Sequence, residues 1–198
     1  MHIKKKKHYY NKDRKRQRTQ NRRLFNEQHK ERNREVRELL WEHGKDILQS
    51  ENFQMTKMHM QHGTVSVHRH CIDVARYSLL FNHKLGLCCN IRDLVRGSLL
   101  HDYFLYDWHD KEYLSQRKRF HGFHHPKTAL RNADKEYDLS DRQRDIIIKH
   151  MWPLSIIPPR YKEAWVVTAA DKYCSFLETV GIHRGTLNAS ERKGNGTE

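Results

Sequence analysis

Apolar residues in this chain recur at intervals of three and four, segment after segment, and no clear alternation of apolar with polar marks a strand. That spacing lays side chains along one face of a helix, whereas a half-buried strand needs a period of two. Val67, Cys71, Val74, Ala75, Ser78 and Leu79 form one such face, and Ile91, Leu94, Val95, Ser98 and Leu99 form the next. An earlier stretch, 32–49, carries Val36, Leu39, Leu40, Ile47 and Leu48 at the same spacing, with Gly44 weakening its middle. The chain is therefore expected to be all-α.

The punctuation agrees with helices. Asn90 followed by Asp93 is a helix start, and Ser140-Asp141-Arg142-Gln143 is a capping box ahead of Ile146, Ile147 and Ile148. Pro126 suits the first turn of a helix through 129–133, and Pro153 ends the next helix just past His150. Pro158-Pro159 opens a last helix over 161–180, with Gly181 as its stop. Residues 50–63 read as a connection with a short helical piece, and 106–119 as a charged, aromatic loop. With 198 residues the chain fits one helical unit, large enough to bury about 70% of its unfolded surface without a disulfide or zinc staple. The expected divisions are a tail over 1–30, an amphipathic helix and connection over 31–58, a compact helical bundle over 59–182, and a flexible tail over 183–198.

The formal charge of +14 belongs mostly to one end. Residues 1–33 hold thirteen Lys/Arg against three acids, and eleven of those cations lie within 4–23. So basic a segment, nearly free of aliphatic side chains, cannot bury enough apolar area to offset its ordering entropy, and is expected to be disordered or loosely helical. Such charge density attracts phosphate polyanions, so non-specific nucleic-acid binding through 4–23 is one expectation. No apolar run is long enough for a membrane span, and no apolar region follows the basic N-terminus as in a signal peptide. The four cysteines, Cys71, Cys88, Cys89 and Cys174, contain no CxxC pair, which argues against a zinc knuckle and for free thiols in a reducing compartment. A cytoplasmic location without membrane insertion is expected.

Chemistry concentrates on His101-Asp102, at the end of the apolar run Leu99-Leu100. An adjacent His and Asp supply one imidazole nitrogen and one carboxylate, which together can reach two metal ions. His70, His125, His150 and Asp171 sit around the pair at helix-length intervals, each beside residues expected to be buried. A lone inward His is more often a hydrogen-bonded core residue, and Asp171 alone could pair with a buried Arg. A chance core rarely sets an adjacent His-Asp among four companions on four other helices. A carboxylate such as Asp171, amid Val166, Val167, Ala169 and Ala170, is costly to bury unless paired, hydrogen-bonded or on a metal. Imidazole and carboxylate ligands suit Fe, Mn, Co, Ni or Zn.

In this order the residues resemble the HD-domain metal-dependent phosphohydrolases, whose pattern is H…HD…D with two further His in two-metal members. His70-Cys71-Ile72-Asp73-Val74-Ala75, Leu99-Leu100-His101-Asp102, His125-Pro126, Ile147-Ile148-Lys149-His150 and Ala169-Ala170-Asp171-Lys172 carry the likeness, over about 60–180. The resemblance implies an HD-type bundle holding two divalent ions. His70, His101, Asp102 and Asp171 would hold one, and Asp102, His125 and His150 the other, with Asp102 bridging and activating water as the catalytic carboxylate. It further implies cleavage of a phosphoester or pyrophosphate bond in a nucleotide-like small molecule. Members often carry a phosphate-contacting Lys shortly after the His-Asp pair, where this chain has Tyr103-Phe104-Leu105-Tyr106-Asp107-Trp108. Lys149, Arg160, Lys162, His121 and His124 are candidate substitutes; His124 also rivals His125 as a ligand, and His62 could cap or face the site.

Two other readings stand beside hydrolysis. The same six ligands resemble those of the diiron oxygenases of that superfamily. Alternatively, the chain is a nucleic-acid or ribosome-associated binding protein that acts through its basic tail, with the helices as scaffold.

Overall fold

The computed structural model describes residues 2–62, 65–104 and 121–181, with side chains over 17–61, 65–104 and 125–181. Over these residues the protein is an all-α bundle. α1 runs His2–Gln49, followed by the short α2 (Glu51–Met55) and a 3-10 turn over Thr56–Met58. The main helices are α3 (Val67–Leu85), α4 (Ile91–Leu100), α5 (His121–Glu136), α6 (Asp141–Lys149) and α7 (Lys162–Thr179). No helix among the described residues is long and apolar enough to cross a membrane.

The helix boundaries follow local chemistry. Ser66, Asn90 and Ser140 each accept a bond from the backbone N–H three residues on, and Ser140 with Gln143 forms the expected capping box. Gly86 closes α3 at φ 60°, the left-handed conformation that glycine tolerates best. α7 starts differently, because its N-cap Tyr161 offers no side-chain acceptor. Buried Asp145 of α6 instead accepts the Arg160 and Tyr161 N–H groups at 2.8 and 3.1 Å, pinning the start of α7 to its neighbour.

α4 is the centre of the bundle. It packs against α3 on one side, α1 on another and α6 on a third, while α7 closes over α3 and α6. Leu94, Val95, Leu99 and Leu100 are completely buried there, among Ile47, Val67, Val74, Ile146, Ile147 and Val167. Two glycines permit these approaches. A Cβ on Gly44 of α1 would stand 2.6 Å from Leu99 Cδ1, and one on Gly97 would overlap Ile146. Gly44, read from sequence as a weakness in its helix, is the point where α1 meets α4.

Three expectations change. A two-stranded antiparallel ribbon, β1 (Met60–His62) with β2 (Val65–Ser66), lies where no strand was expected; it is too short for an alternating pattern to register. α1 begins near the N-terminus rather than at residue 32, since nothing over 2–43 is Gly or Pro and Lys, Arg and Gln are good helix formers. The composition argument holds for packing: over 17–35 every side chain is exposed except half-buried Asn33, and Val36 is the first one buried. Finally, α5 begins at His121, so Pro126 sits in its second turn. The loop expected over 106–119 and the tail over 183–198 lie outside the described residues.

Candidate metal centre

Each of the six expected ligands sits on the bundle's inner surface because its helix turns that face inward. His70 is one turn before Val74 on α3, and His101 and Asp102 follow the last residue of α4. His125 lies on α5, His150 caps α6, and Asp171 follows buried Ala170 on α7. All six are buried.

Asp102 stands in the middle and divides the group. Its Oδ1 lies 3.2 Å from His125 Nε2 and 3.3 Å from His150 Nε2. Its Oδ2 lies 3.5 Å from His101 Nε2 and 3.9 Å from His70 Nε2. His70-His101-Asp102 and Asp102-His125-His150 thus form two triads, each close enough to hold one ion, sharing a single carboxylate. Asp171 joins the first, with Oδ1 3.2 Å from His70 Nε2 and 3.9 Å from His101 Nε2. Ligands bonded at about 2.1 Å stand about 3.0 to 3.4 Å apart at adjacent octahedral or tetrahedral corners, and three of these six separations fall there, with the others at 3.5 to 3.9 Å.

The hydrogen bonds behind the ligands set which atoms face the centre. His101 Nδ1 donates to the Ser98 carbonyl at 2.7 Å, and His150 Nδ1 to the Ile147 carbonyl at 2.9 Å. Each ring therefore carries its proton on the outer nitrogen and turns the Nε2 lone pair inward. His150 Nε2 meets His125 Nε2 at 2.9 Å, a pairing in which at most one proton can sit between two imidazoles. His101 Nε2 and Asp102 Oδ1 are buried and lack a hydrogen bond, Oδ1 despite its two close imidazoles. Two orphaned atoms, a lone pair in the first triad and an anionic oxygen in the second, are what a cation in each would satisfy. By this test the residues fit a divalent ion.

The electrostatics agree. Burial alone would push the Asp102 carboxyl up, yet the facing His101, His125 and His150 imidazoles hold it well below the usual carboxylate range. Asp171 is held down in the same way by His70, His101 and Lys172, against its own burial. His101 is lowered to about 4, chiefly by burial, and is neutral at pH 7. His70 goes the other way. Burial opposes its charge, but Asp171 on one nitrogen and Glu178 on the other raise it to about 10. Without an ion, a proton on His70 offsets the buried carboxylates.

Three neighbours were missed from sequence. Glu178 takes His70 Nδ1 at 2.9 and 3.0 Å through its two oxygens, the carboxylate–histidine arrangement that orients a metal ligand. Its signal was legible, since it lies two turns beyond Asp171 on the same face of α7. Gln61 of β1 donates to Asp102 Oδ2 at 2.6 Å and carried no signal, because only the fold brings the ribbon to the His-Asp pair. Lys172, half-exposed, donates to Asp171 Oδ2 at 2.7 Å and to the His150 carbonyl at 3.2 Å.

Three of the candidate phosphate contacts have partners of their own. Lys149 pairs with Asp145 at 2.7 Å, Arg160 lies over the Tyr161 ring, and Lys162 donates to the Leu87 and Cys88 carbonyls. The side chains of His62, His121 and His124 lie outside the described residues. The four cysteines are free. No protein-family model, curated protein or solved structure matches this chain.

Proposed function

We propose that this chain is a metal-dependent hydrolase of phosphate esters or anhydrides, acting on a nucleotide-like small molecule, as its resemblance to the HD-domain phosphohydrolases implies. One observation carries the reading: two buried triads of imidazole and carboxylate share Asp102. Divalent ions held there supply Lewis acidity toward a phosphoryl oxygen and lower the pKa of a coordinated water toward neutrality.

The chain's own groups then have defined tasks. His70, His101 and Asp171 hold one side of the centre and His125 and His150 the other, with Asp102 between them. Gln61 and Glu178 fix the orientation of Asp102 and His70. Lys172 is the cation beside the centre and takes the phosphate contact that the residues after the His-Asp pair do not offer. Its ammonium already reaches Asp171 and the His150 carbonyl, and its third N–H, set against Met151 Sδ at 3.9 Å on a half-exposed side chain, is the donor for an anionic substrate. No separate nucleophilic side chain is required.

The test is turnover of bis(p-nitrophenyl) phosphate and a nucleotide panel by protein loaded with Mn, Fe, Co, Ni or Zn. Metal-dependent hydrolysis is expected, with Asp102→Asn losing both bound metal and turnover while keeping the helical circular dichroism. Turnover indifferent to Asp102→Asn would sink the proposal.

A further inference from the structure

The charge in α1 is not spread evenly around the helix. At about 100° per residue, ten of the eleven Lys/Arg positions within 4–23, all except Lys6, fall in one arc of about 200°. The opposite arc holds the positions of Asp13, Gln17, Gln20, Asn21 and Leu24, with Tyr9 and Tyr10 also there. The basic arc continues a helix whose burial, over the described side chains from 17 onward, begins at Val36 apart from half-buried Asn33. About 50 Å of helix precedes Val36.

We propose that the N-terminal half of α1 is a binding surface for the phosphate backbone of duplex DNA, seated in the major groove. A helix with its side chains is about 10–12 Å across, and the major groove of B-form DNA is about 12 Å wide. A cationic arc of about 200° reaches the phosphates on both walls of such a groove while the neutral face stays outward. The basic stretch spans about 30 Å, close to one turn of the duplex at about 34 Å. A-form RNA closes its major groove to a helix, so duplex RNA fits less well. Single strands are held by aromatic stacking, and Tyr9 and Tyr10 lie off the basic arc. An anionic membrane needs a continuous apolar stripe opposite the charge, where this helix interrupts Tyr9, Tyr10 and Leu24 with Asp13, Gln17, Gln20 and Asn21.

The surface is independent of the metal centre, so each can fail alone. The test is fluorescence anisotropy of the full chain with a labelled 20-base-pair DNA duplex, the matching RNA duplex, the single strand, and vesicles containing phosphatidylserine. The DNA duplex is expected to bind most tightly, and affinity should fall about 10³-fold or more between roughly 50 and 200 mM salt. Replacing Lys5, Lys7, Arg14, Lys15, Arg18 and Arg22 together by Gln should abolish duplex binding and leave metal content and thermal melting unchanged. Tyr9→Ala with Tyr10→Ala should bind duplex DNA as the parent does. Unchanged binding in the sixfold variant would overturn the proposal, as would tighter binding to single strand, RNA duplex or vesicles. Loss of duplex binding in the tyrosine variant would overturn it too.

Discussion

Asp102 is the residue on which both triads depend, and its neighbours explain how a carboxylate stays ionised at zero depth of water. Four imidazoles lie within 4 Å of it, and Gln61 donates to the oxygen nearer His70 and His101. Glu178 does for His70 what backbone carbonyls do for His101 and His150: it takes the outer proton and aims the inner nitrogen. Glu178→Gln should therefore weaken metal binding by about 10- to 100-fold, read by competition with a chelating dye, without loss of fold. An affinity equal to the parent's would remove Glu178 from the site.

The two perturbed histidines also set how the metal-free protein responds to pH. His101 is depressed to about 4, so its contribution is complete above its ordinary value near 6.5. It is lost as pH falls from there toward 4, because the unfolded chain takes a proton that the folded one refuses. His70 is raised to about 10, so its contribution is complete below about 6.5 and is lost as pH rises toward 10. Each effect is worth a few kcal/mol, since one pKa unit is about 1.4 kcal/mol. In the presence of chelator the urea midpoint should be highest near pH 6.5 and lower at both pH 4.5 and pH 9. A midpoint that rises from pH 7 to 9 would contradict the role given to the His70 proton.

At the scale of elements, α4 does most to place the site, because the His-Asp pair leaves its C-terminus with the helix held on three sides. Gly97 is the tightest of these contacts. Gly97→Ala must displace Ile146, one turn before His150, and overpacking of this kind costs about 1–3 kcal/mol. The thermal midpoint should drop by about 2–4 °C for each kcal/mol lost. An unchanged midpoint would show that α6 can move aside freely. Most of the helices were legible from a periodic apolar face, and α4 and α6 also from a side-chain cap, at Asn90 and Ser140. The start of α7 was legible only as a Pro-Pro signal, while the Asp145 acceptor that secures it comes from sixteen positions back along the chain. The β1–β2 ribbon had no signal at all, although it delivers Gln61 to the metal centre.

At the scale of the whole molecule, one helix has two physical regimes. From Val36 to Ile47, α1 buries Val36, Leu40 and Ile47 against the bundle, while over 17–32 it is exposed on every side. Helix without packing is only marginally stable in water. Native-state hydrogen exchange should therefore show fast exchange over 17–32 and protection approaching the global value over 40–47. Uniform protection along α1 would mean that something covers its first half.

The chain's order of residues was sufficient for the helical class, the segregation of charge, and the six imidazole and carboxylate positions. All three depend on local periodicity or on residue type. Tertiary structure alone decided that Asp102 stands between two triads, that Gln61 supports them, and that Lys162 reaches the Leu87 and Cys88 carbonyls. Those facts depend on distances between residues far apart in the chain, which the packing of the elements sets and no local pattern encodes.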